Sequence, residues 1–414
     1  MNQNVPERVI RLMERGVVIP TPHTVDIGSD VDLEKISGDG VVLHGGTRLA
    51  GEKTVLSAGV RLGEEGPVTV VNSRLGREVE LKGGFFKDAV FLDRANFGMG
   101  AHVREGCLIE EEAGGAHTVG LKQTILFPFV TLGSLVNFCD CLMAGGTSRK
   151  DHSEVGSSYI HFNYTPNQDK ATASLLGDVP RGVMLRERPI FLGGQGGLVG
   201  PARVGYGAVV AAGTILREDV EEGQLVQSPP EAKTAAKKPF IPGYYADPDR
   251  IINNNIMYMA SLVALDAWYR HARRPFFEAC DLGQEVLEGA LEMLKKARSE
   301  RLKRMEDLAE KMGRPLEIPR GAIQTDLDEA VLARRKVFCR SWPAMKEFVG
   351  FFDADGLGAE ERARFLAAFH GQRKVAGDYI EAVRSLDDAA RAEGIAWLEA
   401  VVETFFGGAR AGME

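Results

Sequence analysis

The chain has 414 residues, 44% of them hydrophobic and 26% charged, with a formal net charge of −8. This is ordinary globular composition, long enough for two domains; it excludes a disordered chain and a basic nucleic-acid binder, and no apolar run approaches the length of a membrane span. Five cysteines, an odd number without zinc-site spacing, speak against a disulfide framework and against a metal site.

The opening, "MNQNVPERVIRLMERG", lacks the apolar stretch of a secretory signal, so a cytoplasmic address is expected. From there to about residue 240, aliphatic residues recur at every sixth position. Ile27 is followed by Leu33, Leu75 by Leu81, Phe97 by Val103 and Ile109, and the run Leu198, Val204, Val210, Leu216 is the most regular. A period of six fits neither a helix nor a simple alternating strand. It fits short strands joined by tight corners, each sending one aliphatic side chain inward, so a parallel β-helix is expected over residues 1–240. An ordinary β-sandwich would space its turn signals more widely, at about eight to twelve residues. Within this region Cys139 and Cys141 read as neighbours on one face of a strand, buried as small apolar groups.

One polar stretch, "HFNYTPNQDK" (161–170), interrupts the apolar rhythm. Further on, the segment 179–198 reads as an insertion of roughly one coil, and its "GGQGG" (193–197) is no phosphate loop, because no Gly-Lys-Ser/Thr follows, but a tight turn or a flap. The proline- and lysine-rich "QSPPEAKTAAKKPFIPGYYADPD" reads as a poorly packed connector or a wrapping arm. Beyond it Leu287, Leu291, Leu294, Leu302, Met305, Leu308 and Met312 follow three- and four-residue steps, predicting an α-helical domain over 241–414. Its charged run "KKARSERLKRMEDLAEK" reads as a solvated helix face. "INNNIMYM" (252–259) is an unusual way to begin a helix and has no functional reading.

Taken together, "GSSYIHFNYTPNQDKATASLLGD" and "VGPARVGYGAVVAAGTILREDV" resemble the acetyltransferase half of the bifunctional N-acetylglucosamine-1-phosphate uridyltransferase/glucosamine-1-phosphate N-acetyltransferase family. "RGVVIPTPHTVDIG" and "PFVTLGSLVNF" are similar to its start and middle, so the resemblance spans roughly residues 7 to 240. It implies a left-handed parallel β-helix, a hexapeptide-repeat solenoid, here followed by α-helices. It also implies a homotrimer with sites between subunits, and acetyl-CoA-dependent acyl transfer to an amino sugar or nucleotide-sugar. The family's nucleotidyltransferase and its Gly-rich loop find no match, so uridyl transfer is not expected.

Acyl transfer from a thioester to an amine needs a base, donors for the oxyanion and a groove for the pantetheine arm. In the resembled family the base is a histidine shortly before the Asn-Tyr loop, a role that falls on His152 in "SRKDHSEVG", with Asp151 or Glu154 to orient it. His152 stands nearer to Asn163 than the family's base stands to its own asparagine, and His161 is the alternative. Asn163 and Tyr164 carry over as substrate and acetyl-CoA contacts, with Lys170 and Arg149 as candidate binding cations. The "VVAAGT" coil (209–214) would take the pantetheine arm, with Arg217, Lys233, Lys237 and Lys238 near its phosphates. The family's phosphate-clamping arginine and lysine have no basic counterpart in "PFVTLGSLV" or "NFCDCLMAGG", which instead adds Asp140. The expectation is an altered acceptor, or substitution by Arg149, Lys150, Arg186 or Arg188. Two other readings compete: a non-catalytic sugar- or nucleotide-binding scaffold, and a zinc carbonic anhydrase on the same solenoid using His102 and His117, for which no close histidine pair is present.

Overall fold

The computed structural model describes residues 5–228, 240–317, 326–376 and 378–413. After a short amphipathic helix, α1 (Glu7–Glu14), the chain winds as a parallel β-helix of about eleven turns that closes at Leu225–Val226. Each complete turn supplies three short strands, and strands of successive turns stack into three ladders. In the first, Arg48, Thr69, Phe85, His102, Gly120, Asn137, Ile160, Gly197 and Ile215 stand in register on the outside. The next residue of each strand points inward, because side chains alternate along a strand. The run Leu198, Val204, Val210, Leu216 therefore walks once around the prism, from the first ladder through the second and third and back to the first, and all four are buried.

The corner between the first and second ladders needs a left-handed backbone residue, and the sequence places Asn72, Asp88, Gln123 and Asp140 there, with φ between 49° and 61°. Short polar side chains tolerate this region best, by bonding locally. Asp140 sits inside the strand Asn137–Met143, and its kink corrects the reading of the two cysteines around it. Cys139 belongs to the first ladder and Cys141 to the second, although both are buried as expected. Burial pushes the Cys139 thiol up to about 11, so it is inert as a nucleophile.

The second ladder differs from the other two. Its strands are consecutive apolar triplets such as Ala89–Phe91 and Cys107–Ile109, and its outward residues Val90, Leu108, Ile125, Leu142 and Leu175 are all at most 4% exposed. Helices cover it. After the short α2 (Val179–Gly182), α3 (Pro248–Trp268), the π-turn Tyr269–Arg273 and α4 (Arg274–Phe277) lead into the long α5 (Gly283–Gly313), which lies on the strands at 74–75, 89–91 and 107–109. Then α6 (Asp326–Phe351), α7 (Ala359–Ala376), α8 (Tyr379–Arg384) and α9 (Asp388–Arg410) complete the bundle. Each buried outward aliphatic is worth about 1.5–3 kcal/mol, so this face binds the helices into the solenoid's own core, which runs unbroken from Val9 to Met413.

Helix starts follow local chemistry. Asp247 caps α3 by accepting from the Arg250 N–H, with Pro248 at the first helical position, and Asp378 and Asp387 cap α8 and α9 in the same way. The 179–198 segment is a coil of the solenoid: after α2 it forms a regular strand whose Phe191 pairs with Glu154 and Val209, and "GGQGG" is the tight turn at the next corner, not a flap. No described helix is long and apolar enough to cross a membrane.

Candidate functional site

"HFNYTPNQDK" begins as a first-ladder strand, Ile160–Phe162, and ends as a loop at the same corner that Asp140 turns one rung earlier. Its polar residues build the loop from within. Buried Asp169 accepts from Thr165 Oγ1 at 3.0 Å and from the Ala171 N–H at 2.9 Å. The connector wraps over it: Tyr245 donates its hydroxyl to Asp169 at 3.0 Å, and the Gly243 N–H donates to Asn167 at 3.0 Å. The asparagines of "INNNIMYM" gain a physical role here. Asn255 in α3 donates to the Ala171 carbonyl at 2.9 Å, and Asn254 donates to Asp219 at 2.9 Å, tying α3 to the solenoid.

Under this loop lies a cavity of about 330 Å³, lined by His161, Asn163, Tyr164 and Lys170 from the segment itself, by Arg104, Lys122 and Asp140 from earlier turns, and by Glu300 and Arg304 of α5. Tyr164 is 65% exposed, while Asn163 and Lys170 are half-buried at the rim. Asp140 is held by Arg301, also from α5, at 2.6 Å, and its second oxygen accepts from Asn163 Nδ2 at 3.4 Å. Arg301 is 2% exposed, which corrects the reading of "KKARSERLKRMEDLAEK" as wholly solvated. It also corrects the expectation that Asp140 would repel an anion, because its charge is already matched. Four cations (Arg104, Lys122, Lys170 and Arg304) line the cavity against two carboxylates. Lys122 is paired with Glu105 at 2.7 Å, and Arg304 with Glu300 at 2.6 Å.

His161 takes an inward position of the first ladder, in register with Leu198 and ring to ring with Phe138 at 6.3 Å. It is 2% exposed, and its Nε2 lies 2.8 Å from Ser174 Oγ, which accepts from the Ala202 N–H. Burial drives the imidazole down to about 4, against a smaller opposing pull from Asp140, so it is neutral at ordinary pH. A folded pKa below the unfolded value near 6.5 means stability that is full above about pH 6.5 and is lost as pH falls toward 4. About 3 kcal/mol is at stake over that window. Urea midpoints measured from pH 7 to pH 4.5 should fall less steeply for His161→Leu than for the wild type; parallel curves would rule out this histidine as a source of acid lability.

His152 and Arg149 lie elsewhere. They sit on a two-stranded hairpin, Gly146–Ser148 with Asp151–His152, that projects from the corner after the second ladder, and neither lines the cavity. His152 Nδ1 lies 2.9 Å from the Arg149 carbonyl, which can only accept, so Nδ1 carries the proton and Nε2 holds the free lone pair. Asp151 accepts from Thr147 rather than orienting the imidazole. Arg149 donates to the Glu112 carbonyl at 2.8 Å and to Thr131 at 3.1 Å, and Arg186 to the Arg384 carbonyl at 2.6 Å. Arg188 pairs with Glu222 at 3.6 Å. Arg217 is exposed, and Lys233, Lys237 and Lys238 lie outside the described residues. His117 shares a hydrogen bond with Ser134 at 2.9 Å, and His102 packs edge-on against Phe85.

Sequence reasoning thus found the loop but missed Arg301 and Arg304, which come from a helix more than a hundred residues later. The signal that pointed there was the apolar triplet repeated along the second ladder, since only a strand covered on both faces is apolar throughout.

No family model matches the chain. Among curated proteins it is 30% identical to the bifunctional protein GlmU of Acinetobacter baumannii over 141 residues, 34% of this chain and 27% of that protein. It is also 30% identical to GlmU of Kineococcus radiotolerans over 245 residues, 56% of this chain and 43% of that protein. The matches therefore span less than half the length of these relatives. Among solved structures, LpxA from Acinetobacter baumannii aligns with 52% of this chain and 70% of its own at 14% identity and a TM-score of 0.22.

Proposed function

We propose, from the β-helix fold and the partial similarity to GlmU proteins, that the protein is an acyl-CoA-dependent acyltransferase, with acetyl-CoA as donor and an amino sugar or nucleotide-sugar as acceptor. The observation that carries this reading is the Asn163–Tyr164–Lys170 loop poised over a cation-lined cavity. Arg104, Lys122 and Arg304 would meet an anionic part of the substrate in place of the clamping residues that "PFVTLGSLV" and "NFCDCLMAGG" lack, which supports an altered acceptor site. Arg304 and Glu300 make the helical bundle part of that site, beyond any role as an attached domain 241–414.

His152 is the base in this proposal. Its Nε2 lone pair is free, whereas His161 is buried in the solenoid and held near 4, too acidic for a base working near neutrality. Because His152 and Asn163 stand at different corners of one chain, the working site joins His152 of one chain to the loop of a neighbour, which calls for a homotrimer. Light scattering should return three times the 45.0 kDa chain mass; a monomer at micromolar concentration would count against the shared site. A thiol-release assay with acetyl-CoA tests the acceptor. Nucleotide-linked or unphosphorylated amino sugars are expected to turn over, and efficient turnover of glucosamine 1-phosphate alone would refute the altered acceptor. A trimer without thiol release on any acceptor would favour the non-catalytic scaffold.

A further inference from the structure

A second cavity, of about 280 Å³, lies at another corner of the prism, remote in sequence from the acyltransfer loop. Its floor is a ladder of corner residues from successive turns, among them Arg77, Asp93, Arg94 and Glu111, and its roof is Phe276, Phe277, Val286 and Ile380 of the helical bundle. Two of the floor cations are answered locally, Arg77 by Asp93 at 2.8 Å and Arg94 by Glu112 at 3.1 Å.

The wall is different. Arg273, at the end of the π-turn, is 1% exposed and faces two buried carboxylates, Glu110 at 3.2 Å and Glu111 in direct contact. Tyr269 donates its hydroxyl to Glu110 at 2.5 Å, and the guanidinium lies 3.9 Å from the centre of the Tyr379 ring. One buried guanidinium therefore serves two buried carboxylates, leaving one negative charge in excess. Glu111 is 94% buried by its 6% exposure, lines the cavity, and its Oε2 accepts no hydrogen bond. A buried carboxylate oxygen without a donor is costly, and it is relieved by a proton or by a cation. Asp378 is shared between the α8 cap and Arg94 at 4.0 Å, while Asp281 adds a further carboxylate to the lining, so the excess charge around Glu111 favours a positive ligand. The helix is also wound as a π-turn at this point, a departure from regular geometry that recurs at binding sites.

We propose that this cavity is a second binding site, independent of the acyltransfer reading, for a small organic ammonium ion whose charged nitrogen meets Glu111 and whose apolar body lies against Phe276, Phe277, Val286 and Ile380. Without such a ligand Glu111 takes a proton instead: burial raises it to about 7 despite the attraction of Arg273, with Glu110 and Asp93 pushing the same way. The aromatic roof suits the ligand because an ammonium is attracted to ring faces as well as to a carboxylate.

Calorimetry on the full chain with benzylammonium, benzyl alcohol and benzoate tests the site at pH 8, where Glu111 is ionised. Benzylammonium should bind roughly tenfold or more tightly than the alcohol, the gain expected of a charge-assisted hydrogen bond, and benzoate should not bind. Glu111→Gln should reduce benzylammonium to the level of the alcohol. Ala279→Trp, at an exposed lining position, should block benzylammonium and benzyl alcohol alike. Equal affinities for the three probes, no binding of any, or wild-type affinity in both variants would overturn the proposal.

Discussion

Replacing Arg301 by methionine is expected to lower the unfolding free energy by about 3–5 kcal/mol, the cost of leaving a buried carboxylate without its partner. The ion pair between α5 and the Asp140 corner is nearly dry on both sides, with Arg301 at 2% and Asp140 at 5% exposure. Methionine keeps most of the volume, so the loss would report charge and not a void. The compensating variant is Asp140→Asn in the same chain, which removes the orphaned charge while leaving an amide able to bond Asn163. It should recover a large part of the loss, since a buried pair is often worth little more than a neutral replacement. Urea denaturation of the single and double variants checks this; a single variant as stable as the wild type would show that Asp140 reaches solvent. Asp140 Oδ2 also accepts from Asn163, and Arg301 Nη1 lies 3.4 Å from the Lys170 carbonyl, so the single variant should loosen the 161–170 loop as well.

How much of this was legible in the sequence follows from where each signal is stored. The β-helix was legible because its core writes itself locally: an inward aliphatic at every sixth residue, as in Leu198, Val204, Val210 and Leu216, needs no partner far away in the chain. The 161–170 loop was legible because a polar stretch around Asn163-Tyr164 interrupts that rhythm, although its closure by Tyr245 and Gly243 comes from the connector some way along the chain. His161 shows the limit of that reading. Its neighbours Ile160 and Phe162 face outward, so alternation alone assigns it to the interior, yet proximity to Asn163 suggested a functional contact. The Asp140–Arg301 pair was not legible, because an arginine between glutamates on a helix looks solvated until the surface it lies on is known. That surface was itself written in the outward column Val90, Leu108, Ile125, Leu142 and Leu175, a signal carried by apolar triplets and not by the sixfold period.

Loss of the base should be the largest effect on activity. His152→Ala is expected to reduce kcat by about 10²–10⁴, with acetyl-CoA affinity nearly unchanged, because a general base acts on the proton leaving the acceptor amine and not on the thioester's binding. Its geometry fits that task. The Arg149 carbonyl fixes the proton on Nδ1 and leaves Nε2 as acceptor, on a hairpin that Arg384 of α8 holds through the Thr147 carbonyl at 2.5 Å. The same hairpin stands away from the cavity of its own chain, so the proposal makes a second, sharper demand. His152→Ala and Asn163→Ala chains, each inactive alone, should regain activity when unfolded together and refolded, because some sites in the mixed trimers then combine an intact His152 with an intact loop from a neighbour. Mixed trimers without activity would place base and loop in one chain. An unchanged turnover in His152→Ala would remove it from the reaction altogether.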